Sequence, residues 1–529
     1  MRTSIHRLAA AAGLLATALS AQDIAAERLR AHVRFLSSDL LEGRAPGTRG
    51  GELTVEYLAS QLAVAGAKPA GASPASWFQP VPLLGVTASP ETSLQLGGIQ
   101  FRWLEDFAGG TLRQTPDVQF TGDAVFAGFG IHAPEFGWDD YGSTDVRGKL
   151  VLLFANEPAS ESGDFFGGRA LTYYGRWTYK YEEAARRGAA AVLIMHTDAT
   201  AGYGWDVVRN SWGREDAQVR NAAPGAGLAF AGWISEAASR RVAAAAGTTL
   251  ARLLERAGTK GFRAVSLGGL SGSGKVFSRI RAIAASNVLG RIEGSRPEWA
   301  AAPVLFTAHW DHLGKTGQED GDAVYNGAVD NATGCALLLE IARAWGQLPV
   351  KPGRPALFLF TTAEEAGLRG AEYFVQHPVA GGEKVALDRV ALVLNFDSFF
   401  PFGPTRDLVL AGAERTTWAE AIIALGERYA VSIEPDPRPE QGGFFRSDHF
   451  PFAQAGVAAL SIKGGRDFMA DPENARAAIA QYGSRHYHRV SDEFRQEWDF
   501  SGMEQVGRFG MALGLEAANS GEPVRWRPK

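Results

Sequence analysis

One cysteine, Cys335, stands in 529 residues, so no disulfide can form within the chain. The apolar run around it makes packing its role. Beyond the first residues no stretch holds the roughly 18 uninterrupted apolar residues that a membrane span requires, and no membrane association is expected of the mature chain. Basic and acidic side chains nearly balance, 53 against 58, for a net charge of −5. A chain without a basic excess lacks the electrostatic footprint of a nucleic-acid binder, and no nucleic-acid partner is expected. Internal repeats are missing, as are low-complexity tracts outside a few alanine-rich helices. What is left, 46% hydrophobic and 21% charged residues, is ordinary globular composition in a chain too long for one core; a prior of roughly 150 residues per domain allows several domains.

The N-terminus has its own texture. Arg2, His6 and Arg7 precede an apolar run over residues 8–19 that closes on Ser20 and Ala21. That is the layout of a secretory signal peptide over residues 1–21, and it predicts a secreted or periplasmic protein.

Chemistry gathers between residues 304 and 331. The apolar run 304–308 reads as a strand buried in a parallel sheet, with His309 where it ends. A polar, glycine-rich stretch follows to residue 327, then Asp330-Asn331, then a helix predicted over 333–345 with Leu337, Leu338, Ile341 and Trp345 on one side. Two further apolar runs end in the same way, 356–362 at Glu364-Glu365 and 390–396 at Asp397. Three strands that each end in a side chain able to hold a metal, with Asp330 between them, point to a site at the carboxyl edge of an α/β sheet.

Elsewhere the spacing predicts helices over 24–41, 52–65, 182–187, 235–257 and 417–429, and strands over 118–130, 150–154, 190–195, 277–289 and 457–462. Residues 44–51 break the first helix pair, residues 268–274 read as a loop, and the tail beyond Gly521 reads as loosely ordered. The aromatic and basic stretch 173–181 fits either a packed face or the wall of a substrate cleft. The block between residues 117 and 263 interrupts the αβ alternation that carries His309 and reads as an insertion.

Two divalent ions that share a water need donors from both sides and one bridging group; carboxylates bridge and imidazoles cap, and a mixed set favours zinc, or manganese or cobalt in its place. The candidates are His309, Asp330, Glu365, Asp397 and one histidine of His486-Tyr487-His488. Glu364 cannot easily hold the same ion as its neighbour Glu365, which leaves it free to act as a base.

The ordered motifs Ala308-His309-Trp310-Asp311-His312-Leu313-Gly314, Asp330-Asn331-Ala332-Thr333-Gly334, Glu364-Glu365-Ala366-Gly367-Leu368-Arg369-Gly370, Asn395-Phe396-Asp397 and Tyr487-His488 followed by Asp492 resemble those of the co-catalytic zinc aminopeptidase family, which also includes glutamate carboxypeptidases. The inserted block, with Gly128-Phe129-Gly130 and the run 187–194, is similar to a protease-associated domain. The resemblance implies an α/β fold with a mixed, mostly parallel sheet flanked by helices. It implies a discontinuous catalytic domain over 22–116 and 264–520, an inserted β-rich α/β domain over 117–263, and a tail over 521–529. It also implies two zinc ions per chain, with Asp330 as the bridge, His309 and Asp397 on one ion, and Glu365 and His488 on the other. Glu364 becomes the general base and Asp311 the group that orients His309. Tyr487 resembles a tyrosine that donates to the tetrahedral oxyanion. The Asp330-Asn331 peptide should be cis, and Asp492 should orient the loop that carries His488. Trp310 departs from the family, where tyrosine is commoner. His312 and His486 read as neighbours of the ligands. Ser447, Asp448 and His449 are open to a helix cap or a substrate contact.

The function implied is a secreted metallo-aminopeptidase acting on peptide substrates. A carboxypeptidase or dipeptidase of the same superfamily is the alternative within enzymes. A receptor-like protein that kept the fold and lost the chemistry is the alternative outside them.

Overall fold

A computed structural model describes residues 24–163, 165–223, 225–316 and 321–528; the expected signal peptide lies outside the described residues. The chain divides into two compact units. One comprises residues up to Val81, 284–437 and 446 onward, and the other residues 82–283 with 438–445.

The first unit is built on a mixed sheet whose centre is parallel. Its elements are α1 (Ala26–Leu36), α2 (Arg49–Val64), the C-terminal part of β1 (Val265–Ile292), β2 (Val304–His309), α3 (Thr333–Gly346), β3 (Ala356–Thr361), β4 (Leu392–Phe396), β5 (Asp407–Ala411), β6 (Ala459–Gly464) and α4 (Ser501–Asn519). β2 pairs in parallel with β3 on one side and β4 on the other, and β4 with β6. β1 joins β3 and β5 joins β6, both antiparallel.

Every residue of β2, β3 and β4 is buried, which is why these strands are continuous apolar runs and not alternating ones. On one face Phe306 stacks on Phe358 and meets Trp345 of α3 edge-on, with ring centroids 5.2 and 5.5 Å apart. Fully burying side chains of this kind is worth about 1.5–3 kcal/mol each. The opposite face packs Leu305, Leu357, Leu359 and Val393 against Phe374 and Phe452. This double burial leaves only the strand ends for polar chemistry.

The second unit has a parallel core in which Asp117–Phe126, Leu150–Leu153, Ala191–Met195 and Phe230–Ile234 lie side by side, with Phe107–Gly110 antiparallel at the end. In the stretch 173–181, Tyr179 and Tyr181 are buried on helix Trp177–Arg186. Tyr174 and Tyr179 meet edge-on at 5.0 Å, inside this unit.

Two local expectations fail. Residues 268–274 belong to a strand and not a loop: Gly272, Ser273 and Gly274 pair with Gly122, Thr121 and Phe120, after a register shift between Ser266 and Ser271. Small residues suit this stretch because a Cβ on Gly274 would lie 2.6 Å from the Phe120 ring. The tail is docked: Val524 is buried and its N–H donates to the Ala391 carbonyl, while the Trp526 indole donates to the Val457 carbonyl.

Candidate functional site

β2, β3 and β4 deliver their terminal residues to one edge of the sheet. His309 ends β2, Asp397 follows β4, and Glu364-Glu365 follow β3 after Ala363, whose φ of 54° turns the chain sharply. Asp330 arrives on the segment before α3, with a cis peptide to Asn331.

The carboxylate of Asp330 faces two imidazoles, with Oδ1 3.2 Å from His309 Nε2 and Oδ2 3.1 Å from His488 Nε2. Asp397 Oδ1 lies 3.4 Å from His309 Nε2, and Glu365 Oε2 lies 3.1 Å from His488 Nε2. Glu364 Oε2 is 4.0 Å from His309 Nε2. Ligand-competent atoms of His309, Glu364 and Asp397 come within 4.8 Å of one another, and so do those of His312, Asp330 and Glu365. Both groupings therefore differ from the ligand sets that the resemblance implies: Glu364 sits inside the first, and His312 reaches the second.

Burial and charge set the protonation of these groups. Burial pulls the His309 imidazole down, yet the carboxylates of Glu364, Asp330 and Asp397 outweigh it and hold its pKa well above the ordinary value. Burial, reinforced by Asp397, Asp448 and Glu365, holds the Glu364 carboxyl well above the carboxylate range. Against burial, the imidazoles of His488 and His312 bring Glu365 down to about 2. The chain thus concentrates four carboxylates, Asp330, Glu364, Glu365 and Asp397, with few matching charges. Buried charges need partners or metals, and a set of imidazole nitrogens and carboxylate oxygens suits zinc.

The surroundings hold this set in place. His309 Nδ1 contacts the Asp311 backbone carbonyl at 3.2 Å, while the Asp311 carboxylate stands 3.9 Å away and accepts the N–H groups of Glu364 and Glu365. Asp311 therefore meets the histidine through its main chain, and its side chain serves the glutamate pair. Asp492, fully buried, accepts the N–H groups of Val329 at 2.9 Å and Asp330 at 3.2 Å. It also accepts from the Tyr482 hydroxyl at 2.5 Å and donates its own N–H to the Arg489 carbonyl at 3.1 Å, so it contacts both the segment of Asp330 and the chain on either side of His488. The Asn331 side chain accepts from Gly334 and Ser398 and donates to the Phe396 carbonyl, which ties the start of α3 to the end of β4.

Ser447 donates to Asp397 Oδ2 at 2.6 Å, and Asp448 accepts from Thr361 Oγ1. Neither caps the helix His449–Gln454 that follows, and His449 is buried. Tyr487 is 49% exposed and stacks on the His488 ring with centroids 3.9 Å apart. His486 turns to Ser491 and Arg495. Trp310 is buried, its indole donating to the Ser286 carbonyl.

His312, which reads from the sequence as a neighbour of the ligands, has its Nδ1 2.6 Å from Glu365 Oε1. The signal available was its spacing of three residues from His309. Ser447 as the partner of Asp397 left no sequence signal at all, because the pair is brought together across the fold.

Residues 287–512 match the model of "Peptidase family M28". Among curated proteins, the chain is 30% identical over 186 residues to a "probable leucine aminopeptidase 2" of Aspergillus oryzae, a match covering 33% of this chain and 36% of that one. It is 28% identical over 176 residues to "Leupeptin-inactivating enzyme 1" of Streptomyces exfoliatus, covering 32% and 38%. The chain thus spans well under half the length of these relatives. Among solved structures, "Aminopeptidase from Aneurinibacillus sp. strain AM-1" matches with a TM-score of 0.54 and 20% identity, over 96% of this chain and 98% of that one. At that identity the likeness establishes the fold, an α/β architecture with a mostly parallel sheet between helices.

Proposed function

We propose, for a chain whose residues 287–512 match the model of peptidase family M28 and whose motifs resemble those of the co-catalytic zinc aminopeptidases, that it removes N-terminal residues from peptides at the edge of the β2–β3–β4 sheet. The observation that carries this reading is the convergence of His309, Asp330, Glu364, Glu365, Asp397 and His488 on one cluster at the edge of the sheet. Two zinc ions would be held there, His309 and Asp397 on one, Glu365 and His488 on the other, with Asp330 between. When bound they would supply Lewis-acid polarisation of a peptide carbonyl and lower the pKa of a water toward about 7.

The chain's own residues do the rest. Glu364 accepts the proton of the attacking water and returns it to the leaving amine. Its backbone N–H and that of Glu365 are fixed by Asp311, so the two carboxylates keep separate tasks. On this reading Tyr487, whose ring stacks on His488, donates to the oxyanion of the tetrahedral intermediate. His312 donates to Glu365 and holds its orientation. The same reading takes residues 117–263, which lie within the wider second unit of residues 82–283 and 438–445, as an inserted domain of the protease-associated kind, and the protein as secreted or periplasmic. None of the helices among the described residues is long and apolar enough to cross a membrane.

Peptides with a free N-terminus test the specificity. Aminoacyl substrates should be hydrolysed, and the same peptides with an acetylated N-terminus should not; the reverse preference would point to the carboxypeptidase reading. A second expectation concerns Asp492. Asp492→Asn keeps one acceptor for the N–H groups of Val329 and Asp330, so the fold should hold while zinc affinity falls on the order of 10- to 100-fold. Chelator competition would measure it, and complete loss of metal would mark Asp492 as a ligand.

A further inference from the structure

The stretch 310–327 between His309 and Asp330 has no regular secondary structure among its described residues apart from a single bridge between Lys315 and Val324. Two of its carbonyls, Gly314 and Ala323, accept from Tyr325 and Thr316 within the stretch; buried carbonyls at its ends need partners outside it. Four carbonyls at or just beyond its two ends find the same one. Arg44, 1% exposed, donates from Nε to the Trp310 carbonyl at 3.0 Å, from Nη1 to Asn326 at 2.5 Å, and from Nη2 to Gly327 at 2.9 Å and Asp330 at 3.5 Å. Its fifth bond runs from Nη1 to the Leu36 carbonyl at the end of α1, at 2.5 Å. All five bonds end on backbone oxygens. That is an unusual use for a group that ordinarily pairs with carboxylates.

The backbone around Arg44 repeats the connection. The His312 N–H donates to the Arg44 carbonyl at 3.4 Å and the Gly314 N–H to the Gly43 carbonyl at 3.0 Å. Gly43 has φ 70°, and a Cβ there would stand 2.2 Å from the Gly314 oxygen and 2.7 Å from the Tyr325 oxygen, so the two sides of the loop close on it too tightly for any side chain. The Asn326 side chain in turn donates to Ser37 and Asp39. Both ends of the loop are thus seated on residues 36–44. The positive charge at the seat is opposed, at longer range, by the carboxylates of Asp492, Asp330 and Asp311.

We infer that Arg44 is a positioning residue for the metal centre: its planar fork joins the chain just after His309 to the chain at Asp330 and so sets how far apart these two side chains stand. The inference rests on the zinc reading of the site. Arginine is required because five donors in one rigid plane can serve carbonyls on both sides at once, whereas a lysine ammonium has three donors and no fork. Arg44 itself contacts neither substrate nor ion in this account; it acts through the loop.

Zinc titration of metal-free protein under chelator competition, together with the visible spectrum of the cobalt-loaded form, tests it in wild type and Arg44→Lys. The expected result is a metal-free variant with wild-type circular dichroism that binds zinc on the order of 10- to 100-fold more weakly, in the range of other groups that orient ligands, and whose cobalt bands differ from wild type. Wild-type zinc affinity and cobalt spectrum in Arg44→Lys, with only a lower Tm, would overturn the inference and leave Arg44 as a fold residue. If wild type itself takes up no zinc, the metal reading fails, and this inference with it. Should Arg44→Lys not fold, Arg44→Ala with methylguanidinium in the buffer carries the test. Zinc affinity should then rise with methylguanidinium and not with methylammonium, and equal or absent effects of the two additives would overturn the inference.

Discussion

Glu364→Gln is expected to keep its zinc and lose turnover by roughly 10²- to 10⁴-fold, the usual contribution of a general base. The substitution preserves size and hydrogen bonding and removes only the capacity to take a proton. Its contrast is Glu365→Gln. Glu365 stands 3.1 Å from His488 and 2.6 Å from His312, so the neutral amide there should weaken metal retention itself. The comparison matters because Glu364 lies in the same cluster as His309 and Asp397, close enough to be read as a third ligand. Metal content by atomic absorption beside kcat for both variants separates the roles. Equal zinc loss in the two would make Glu364 a ligand, and unchanged hydrolysis in Glu364→Gln would remove it from the chemistry.

That contrast was available from the sequence because adjacent carboxylates at the end of a buried strand are visible there. The runs ending at His309, Glu364 and Asp397 could be read since parallel strands covered on both faces must be continuously apolar, and the first polar residue then marks the edge. The helix after Asp330 was legible for a similar reason, and the structure ends it at Gly346, one residue beyond the expected span. What could not be read was anything set by contacts distant in sequence. Arg44 lies 266 positions before Trp310, and as sequence the segment 44–51 is only a place where a helix breaks. Ser447 meets Asp397 across 50 positions. His312 could be seen but not ranked, because its spacing from His309 does not say which side chain it faces. The strand through residues 268–274 was hidden by its glycines and serines, whose weak strand preference gives way to pairing with residues 117–126 on one side and 93–96 on the other.

A fold that had lost its chemistry would present this edge differently. Four carboxylates packed together cost free energy in proportion to their burial, and a binding protein free of that requirement would be under no physical pressure to keep them. Asp330 is the member of the set that faces both His309 and His488, one through each oxygen, and it is 2% exposed. Asp397 and Glu365, by comparison, each stand beside one of those two histidines.

Asp330→Ala should therefore abolish zinc binding at both positions and bring hydrolysis to background, whereas Asp397→Ala or His488→Ala should each leave one ion in place. A readout independent of activity follows from linkage: a ligand that binds only the folded state adds about 2.7 kcal/mol of stability at a hundredfold excess over its Kd. Wild-type protein should accordingly gain Tm when zinc is added to the metal-free form, and Asp330→Ala should gain none. The variant's own fold is checked by circular dichroism in the absence of metal, where Asp492 still holds the backbone N–H groups of residues 329 and 330. Retention of one zinc ion by Asp330→Ala would show that the carboxylate belongs to a single ion. Full retention, with a wild-type rise in Tm, would show that the metal centre is built from other residues.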